Sequence, residues 1–366
     1  MRCDLLDYLL PEDLIARRPT DARDAARLLV VAGPDRPEGA PEVEHRHVFD
    51  LAELLPEGAL LVLNDTRVVP ARLLGRKADT GGAVELLLVR PRAAEGAAPD
   101  RASFHAMGRA SKGLRPGAIV TFGDGALTAE IEGRDESGGL YEVTLRARDG
   151  DVQAAIDRVG HMPLPPYMRR PDDEVDRERY QTVFARVPGA IAAPTAGLHL
   201  TEALLDRLAE RGIERAFVTL HVGLGTFQPV TVDDLDEHPM HVEPFVVPEE
   251  TRAAIARARE RGAPVVAVGT TVVRTLESAA DPDRPGHVRA AHGETKLLIQ
   301  PGYAFRVIDR LLTNFHLPRS TLLALVFAFA GAERVRRAYA TAIAEGYRFY
   351  SYGDAMLLRR DPEVTA

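Results

Sequence analysis

The stretch AAPTAGLHLTEALLDRLAERGIERAFVTLHVGLGTFQPV, residues 192–230, decides how the rest of the chain is read. A short apolar run ends in Pro194-Thr195-Ala196-Gly197-Leu198-His199, and a second, Ala216 to Val222, ends in Gly223-Leu224-Gly225-Thr226-Phe227. Between them the spacing predicts a helix. Thr201 is a good N-cap, Leu204, Leu205 and Leu208 share one face, and Gly212 fits the position just past the end. A strand, loop, helix, strand, loop unit of this length predicts two parallel neighbouring strands, joined by a right-handed crossover, with both loops on one sheet edge. That edge is where open α/β sheets bind ligands. Each loop carries a His, a Thr and glycines, and taken alone each reads equally well as a tight turn or as part of a site. Two such loops on one edge favour the site.

The same design recurs along the chain. Ala59 to Leu63 is a buried-strand run ending in Asn64-Asp65-Thr66-Arg67, Pro264 to Val268 runs into Gly269-Thr270-Thr271, and Leu311-Leu312-Thr313 leads into Asn314-Phe315-His316. With the two loops of the opening stretch this makes five polar loops. Gathered on one sheet edge they predict a pocket rich in hydroxyls and imidazoles, flanked by the carboxylates Asp65, Glu243 and Asp354. Other expected elements are a strand from Arg27, a helix from Pro248 to Arg261, a strand from Lys296 to Gln300, an apolar helix from Ser320 and a last helix from Glu333 to Ala344.

From about Ala71 to Val159 the texture changes. Short alternating runs separated by DTGG, RPG and ESGG turns predict a small antiparallel barrel or sandwich, closed by a helix from Val152 to Val159. Because the strand-then-polar-loop pattern resumes afterwards, residues 71–159 read as an insertion in an α/β domain built from 1–70 and 160–366. The proline-dense segment at 161–171 reads either as a stiff linker or, through Tyr167 and Arg169-Arg170, as a nucleic-acid clamp.

Composition narrows the function. A chain of 366 residues, 45% of them hydrophobic, buries a substantial core. The net charge of -8 argues against a surface coated in positive charge for non-specific nucleic-acid binding. One cysteine, Cys3, excludes an internal disulfide framework and Cys-based zinc sites. The longest nearly apolar run, Leu322 to Ala332, is short of the ~20 residues a membrane span needs, so a soluble cytoplasmic protein is expected. There is no GxGxxG after the first strand, no GxxxxGK[ST], no HExxH and no GxSxG. His238 and His241 offer a metal pair to His199 or His221, but the reading that remains favoured is a metal-free acid/base site for a polar, sugar-containing substrate.

Eight blocks then carry a resemblance: LNDTRVVPARL (63–73), GHMPLPPYM (160–168), ERYQTVFA (178–185), PGAIAAPTAGLHLT (188–201), HVGLGTFQPV (221–230), VGTTVVRTLES (268–278), LLTNFHLPRSTLL (311–323) and YRFYSYGDAM (347–356). In order and over nearly the whole chain, they resemble the S-adenosylmethionine:tRNA ribosyltransferase-isomerases of the queuosine pathway. The resemblance implies a discontinuous, Rossmann-like α/β domain with an inserted β-barrel. It also implies a reaction in which the ribosyl part of S-adenosylmethionine, a co-substrate rather than a prosthetic group, is transferred and isomerised onto 7-aminomethyl-7-deazaguanine at the wobble position of tRNA. Epoxyqueuosine, adenine and methionine are the products, no metal is required, and a monomer is expected. A different S-adenosylmethionine-dependent transferase and a catalytically silent tRNA-binding protein are the competing readings.

Under this resemblance His199 and His221 lead as proton-transfer groups, with His316 and Glu243 behind them. Thr195, Thr226, Thr270 and Thr271 are expected to hold ribose or methionine, with Asn314 beside them in its polar loop. Asp65 or Asp354 is expected to read the deazaguanine edge. Arg67, Arg72 and Arg274 pair with methionine carboxylate or tRNA phosphate, or else form internal salt bridges. Phe227 or Tyr350 stacks on a base or faces the sulfonium. The chain departs from the family pattern at Val242 and Val272, near the expected pocket, and at Leu200 and Phe327, where packing changes are expected.

Overall fold

The computed structural model describes residues 1–361 apart from 35, 37, 38, 40, 93–97, 137 and 224–229. In chain order the strands are β1 (Arg27–Val31), β2 (Val43–His47), β3 (Leu60–Asn64), β4 (Thr66–Val68), β5 (Arg72–Lys77), β6 (Ala83–Arg92), β7 (Arg101–Ala110), β8 (Ile119–Phe122), β9 (Leu127–Arg134), β10 (Tyr141–Ala147), β11 (Val187–Ala190), β12 (Glu214–Leu220), β13 (Glu243–Val247), β14 (Val265–Val268), β15 (Ala291–Thr295), β16 (Arg310–Asn314) and β17 (Ala355–Arg359). The α-helices are α1 (Leu51–Leu54), α2 (Val152–Val159), α3 (Glu174–Arg179), α4 (Glu202–Glu210), α5 (Glu249–Glu260), α6 (Thr270–Ser278), α7 (Thr321–Ala330) and α8 (Ala332–Ala344).

Nine strands form one sheet in the order β15-β13-β12-β3-β14-β16-β17-β1-β2. Its centre, β12, β3, β14 and β16, is parallel. These strands have few polar residues because both faces are covered. Along β3, Leu60 and Val62 belong to a core shared with α5 to α8, whereas Leu61 and Leu63 belong to a core shared with α1 and α4. Strand alternation thus writes a three-layer α/β/α arrangement directly into LLVLN.

The carboxyl ends of the four parallel strands share one edge and deliver His221, Asp65, Gly269 and Phe315 to it. Strand β17 runs antiparallel to β16, with Ala355 opposite Asn314. Its amino end therefore lies at the same edge, which brings the turn at 347–354 there as well.

The barrel is closed and antiparallel, in the order β10-β7-β6-β5-β8-β9. Val152, Ala155 and Ile156 of α2 pack into the same apolar core as the strands. The chain enters and leaves the barrel side by side, where His161 N donates to Arg72 O at 2.8 Å. Gly160 makes the crossing possible, because a Cβ there would stand 2.0 Å from the carbonyl oxygen of Pro70.

Several sequence expectations need correction. The segment before Pro194 is not a strand of the main sheet: β11 pairs with β4 in a separate two-stranded ladder. Its Val187-Pro188-Gly189 is exposed and Pro188 has no N–H to donate, so the segment lacks the two apolar faces a central strand requires. Residues 296–300 form no strand. The ladder there is β15, and Thr295 Oγ1 ends it by accepting from Leu297 N at 3.1 Å. The helix capped by Thr201 is as expected, with Leu204 N donating to Thr201 Oγ1 at 3.1 Å.

Candidate active site

At the edge where these loops converge, a chamber encloses about 650 Å³ of space, part of it open to solvent. Of the five predicted loops, three line it directly: Thr195 and Ala196, Gly269 to Thr271, and Thr313 to His316. The 64–67 loop acts from beneath. Asn64 Nδ2 donates to Leu220 O at 3.0 Å and to Thr271 Oγ1 at 3.3 Å, while its Oδ1 accepts from Leu220 N and Thr66 N. Of the fifth strand-and-loop unit, Val222 just before the loop lines the chamber, and Thr226 and Phe227 lie outside the described residues.

Asn314 is the polar hub of the chamber. Its Oδ1 accepts from Thr195 Oγ1 at 3.0 Å, and its Nδ2 donates to Tyr350 O at 3.1 Å and stands 3.0 Å from His199 Nε2. The amide therefore donates and His199 Nε2 accepts. Tyr350, a lining residue, has φ of 75°, a left-handed conformation costly for a bulky side chain. Two features hold it there. Tyr350 N donates to Phe315 O, and at Gly353 a Cβ would meet Arg348 O at 2.4 Å, so the turn closes tightly only with glycine. Tyr167 packs against Tyr350 with ring centroids 4.7 Å apart, and its hydroxyl is bonded to Ser351.

The three histidines occupy different settings. His316 lines the chamber, with Nε2 at 2.8 Å from Thr313 Oγ1 and its backbone fixed by Tyr339 and Tyr8 hydroxyls. Burial pushes its pKa down to about 3. His199 lies beside a smaller cavity with Arg23 and Arg179, and reaches the main chamber through Asn314. Burial, reinforced by Arg348 and Arg23, pushes its pKa down to about 4. Both rings are therefore neutral at pH 7. His221 is half-buried on the flank, 2.8 Å from Thr66 Oγ1; burial lowers its pKa while Asp65 opposes the shift.

The remaining predicted residues divide. Thr270 and Thr271 open α6 and face the chamber. Glu243 and Arg274 form a buried ion pair in an adjoining chamber that also includes His238 and His241. Asp65 is buried against Thr219 Oγ1 at 2.6 Å and Arg186 at 2.9 Å, outside the chamber lining. Asp354 stands outside the chamber lining: its two oxygens accept from Arg27 N and Arg348 N, closing the turn that presents Tyr350. Arg72 pairs with Glu85 across the barrel at 2.9 and 3.1 Å, and Arg67 is exposed on β4. In the proline-dense segment, Tyr167 belongs to the chamber and Arg170 is bidentate to buried Asp176, so neither is a free clamp. Val272 and Leu200 are buried in the core, Phe327 packs beneath Arg336, and Val242 is exposed. Among the described residues, no group of three or more His, Cys, Asp or Glu is placed to hold a metal ion. No helix is long and apolar enough to cross a membrane, among the residues described.

Sequence reasoning missed Asn64, Tyr8, Tyr339 and Ser351. Only Asn64 carried a signal, since it opens a polar loop in the same way as Asn314 does.

A family model described as queuosine biosynthesis protein matches residues 3–358. The S-adenosylmethionine:tRNA ribosyltransferase-isomerase of Sorangium cellulosum is 62% identical over 98% of this chain and 99% of its own length. That of Anaeromyxobacter dehalogenans is 55% identical over 98% of this chain and 100% of its own. The crystal structure of S-adenosylmethionine tRNA ribosyltransferase from Thermotoga maritima is similar with a TM-score of 0.53 and 35% identity, covering 96% of this chain and 99% of that one. The chain belongs to the queuosine biosynthesis protein family.

Proposed function

We propose that this chain is an S-adenosylmethionine:tRNA ribosyltransferase-isomerase. It transfers and isomerises the ribosyl part of S-adenosylmethionine onto 7-aminomethyl-7-deazaguanine at the tRNA wobble position. The products are epoxyqueuosine-tRNA, adenine and methionine. It works in the cytoplasm as a monomer, and its own side chains supply the proton transfers.

The observation that carries this reading is the main chamber, where aromatic walls and a ring of hydroxyls meet around one buried amide. Such a lining suits a nucleoside. Thr195, Thr270 and Thr271 are placed to hold ribose hydroxyls, and Tyr350 with Tyr167 gives a π surface for adenine or the sulfonium. The sulfonium acidifies the neighbouring ribose CH₂, so a base of modest strength removes that proton. His199 and His316 are weak bases in their settings and serve as hydrogen-bonding partners. His221, without their large pKa displacement, is the proton acceptor in this scheme. Hydrogen bonding to the purine eases departure of adenine. The aminomethyl nitrogen of the tRNA then attacks as a free amine, and the epoxide closes as methionine leaves.

The test is incubation with S-adenosylmethionine and tRNA carrying the aminomethyl base, followed by mass analysis of nucleosides and small products. Adenine, methionine and epoxyqueuosine in equal amounts are expected. S-adenosylhomocysteine in their place would identify a methyl transfer, and salt-sensitive tRNA binding with no cofactor consumed would identify a silent binding protein.

A further inference from the structure

The second chamber adjoins the first and holds about 480 Å³ of space between its atoms, part of it open to solvent. Leu322 lines both. Its walls combine Leu297, Leu298, Ile299 and Leu325 with the polar residues His238, His241 and Thr321 and with the Glu243–Arg274 pair. That pair is deeply buried, with 5% and 7% of the two residues exposed. The guanidinium of Arg274 is held at two of its nitrogens: Nε donates to Leu297 O at 3.0 Å and Nη1 donates to Glu243 Oε2. The third, Nη2, is buried with no acceptor among the described residues. Leaving a buried charged donor unsatisfied is costly, so a ligand oxygen that reaches it gains a charge-assisted bond. Glu243 spends Oε1 on Gly223 N at 3.0 Å and Oε2 on Arg274, leaving further lone pairs on both oxygens.

We infer that this chamber is the seat of the amino-acid end of S-adenosylmethionine, with Arg274 Nη2 taking the carboxylate and Glu243 the ammonium. The inference rests on the proposed activity and divides its site in two: nucleoside in the main chamber, methionine tail beside Leu322 in the second. Charge selects this occupant. The ion pair is neutral as a unit, so a zwitterion set against it adds no net charge to the buried site, whereas a ligand of net charge does. A tRNA phosphate brings a net negative charge and fits less well. The assignment also gives Glu243 a binding role in place of proton transfer.

Calorimetry on the full chain tests this with three ligands: S-adenosylmethionine, its decarboxylated analogue and adenosine. The wild-type protein is expected to bind S-adenosylmethionine tenfold or more, on the order of one buried charge-assisted bond, above the decarboxylated analogue. Millimolar methionine should compete with S-adenosylmethionine and inorganic phosphate should not. Arg274→Met combined with Glu243→Gln removes both charges together, and should collapse the preference to about twofold or less while adenosine affinity stays unchanged. The wild-type comparison stands even where that variant fails to fold. Equal affinity for the two sulfonium ligands, or displacement by phosphate, overturns the clamp. If adenine is still released from S-adenosylmethionine in the presence of tRNA, only the clamp has fallen; if wild-type protein neither binds S-adenosylmethionine nor releases adenine, the proposed activity falls with it.

Discussion

The two ends of α6 carry buried polar residues of opposite kinds. At its carboxyl end, Glu277 is saturated: its oxygens accept from the backbone N–H groups of Arg306, Val307 and Ile308 at 2.9 to 3.2 Å. At its amino end, Thr270 and Thr271 line the main chamber, and one turn further along Arg274 keeps a buried nitrogen without a partner among the described residues. Burial and charge do not separate these residues. What separates them is whether the protein itself fills their hydrogen-bonding capacity. A saturated carboxylate pins a segment, whereas a residue left partly open is positioned for a ligand.

The largest effect is expected at Glu277. Glu277→Ala strands three backbone donors in the core and should cost about 4 kcal/mol in denaturant unfolding. Adenosine affinity of the folded protein should be unchanged; a selective loss of affinity would place Glu277 in the site.

Acid probes the chamber side. In the unfolded chain His199 and His316 titrate near 6.5, but in the fold near about 4 and about 3. Between these values the unfolded state holds protons that the folded state does not. Their contribution is thus fully present above about pH 6.5 and is lost as pH falls toward the folded values, on the order of 3 kcal/mol for His199. Thermal melts from pH 7 to 4 should show the decline, and His199→Gln should flatten part of it. An unchanged slope in that variant would contradict the burial argument.

Asn314→Ala removes the link among Thr195, His199 and Tyr350. Adenine release should drop about a hundredfold, near 2.7 kcal/mol, with the far-ultraviolet spectrum retained. Normal turnover would show that the amide is only a brace. Thr271→Val keeps the shape but deletes the hydroxyl that meets Asn64 and faces the chamber, and should weaken S-adenosylmethionine binding about fivefold to tenfold, ~1 kcal/mol. The smallest effect is expected in the barrel. Arg72→Gln breaks a partly exposed pair with Glu85 and should alter stability by about 1 kcal/mol or less, with S-adenosylmethionine affinity untouched. A clear loss of affinity would return Arg72 to the site.

What sequence determined by itself is local and periodic. The doubly buried strands β3, β14 and β16, the cap at Thr201 and the glycine-turned strands of the barrel follow from patterns a few residues long. Two polar loops, Thr270-Thr271 and Asn314-Phe315-His316, were legible as one site because parallel strands send their carboxyl ends to one edge, and the Thr195 loop joins them from outside the main sheet. Tertiary structure decided the rest. It placed β11 outside the main sheet, turned Asp354 into a brace for Tyr350, spent Arg72 and Arg170 on carboxylates, and set Arg274 against Glu243 with one nitrogen left over. The physical reason is that a polar side chain's role depends on how many partners it finds across the fold. His199 and Asn314, like Glu243 and Arg274, meet only after the chain has closed around them.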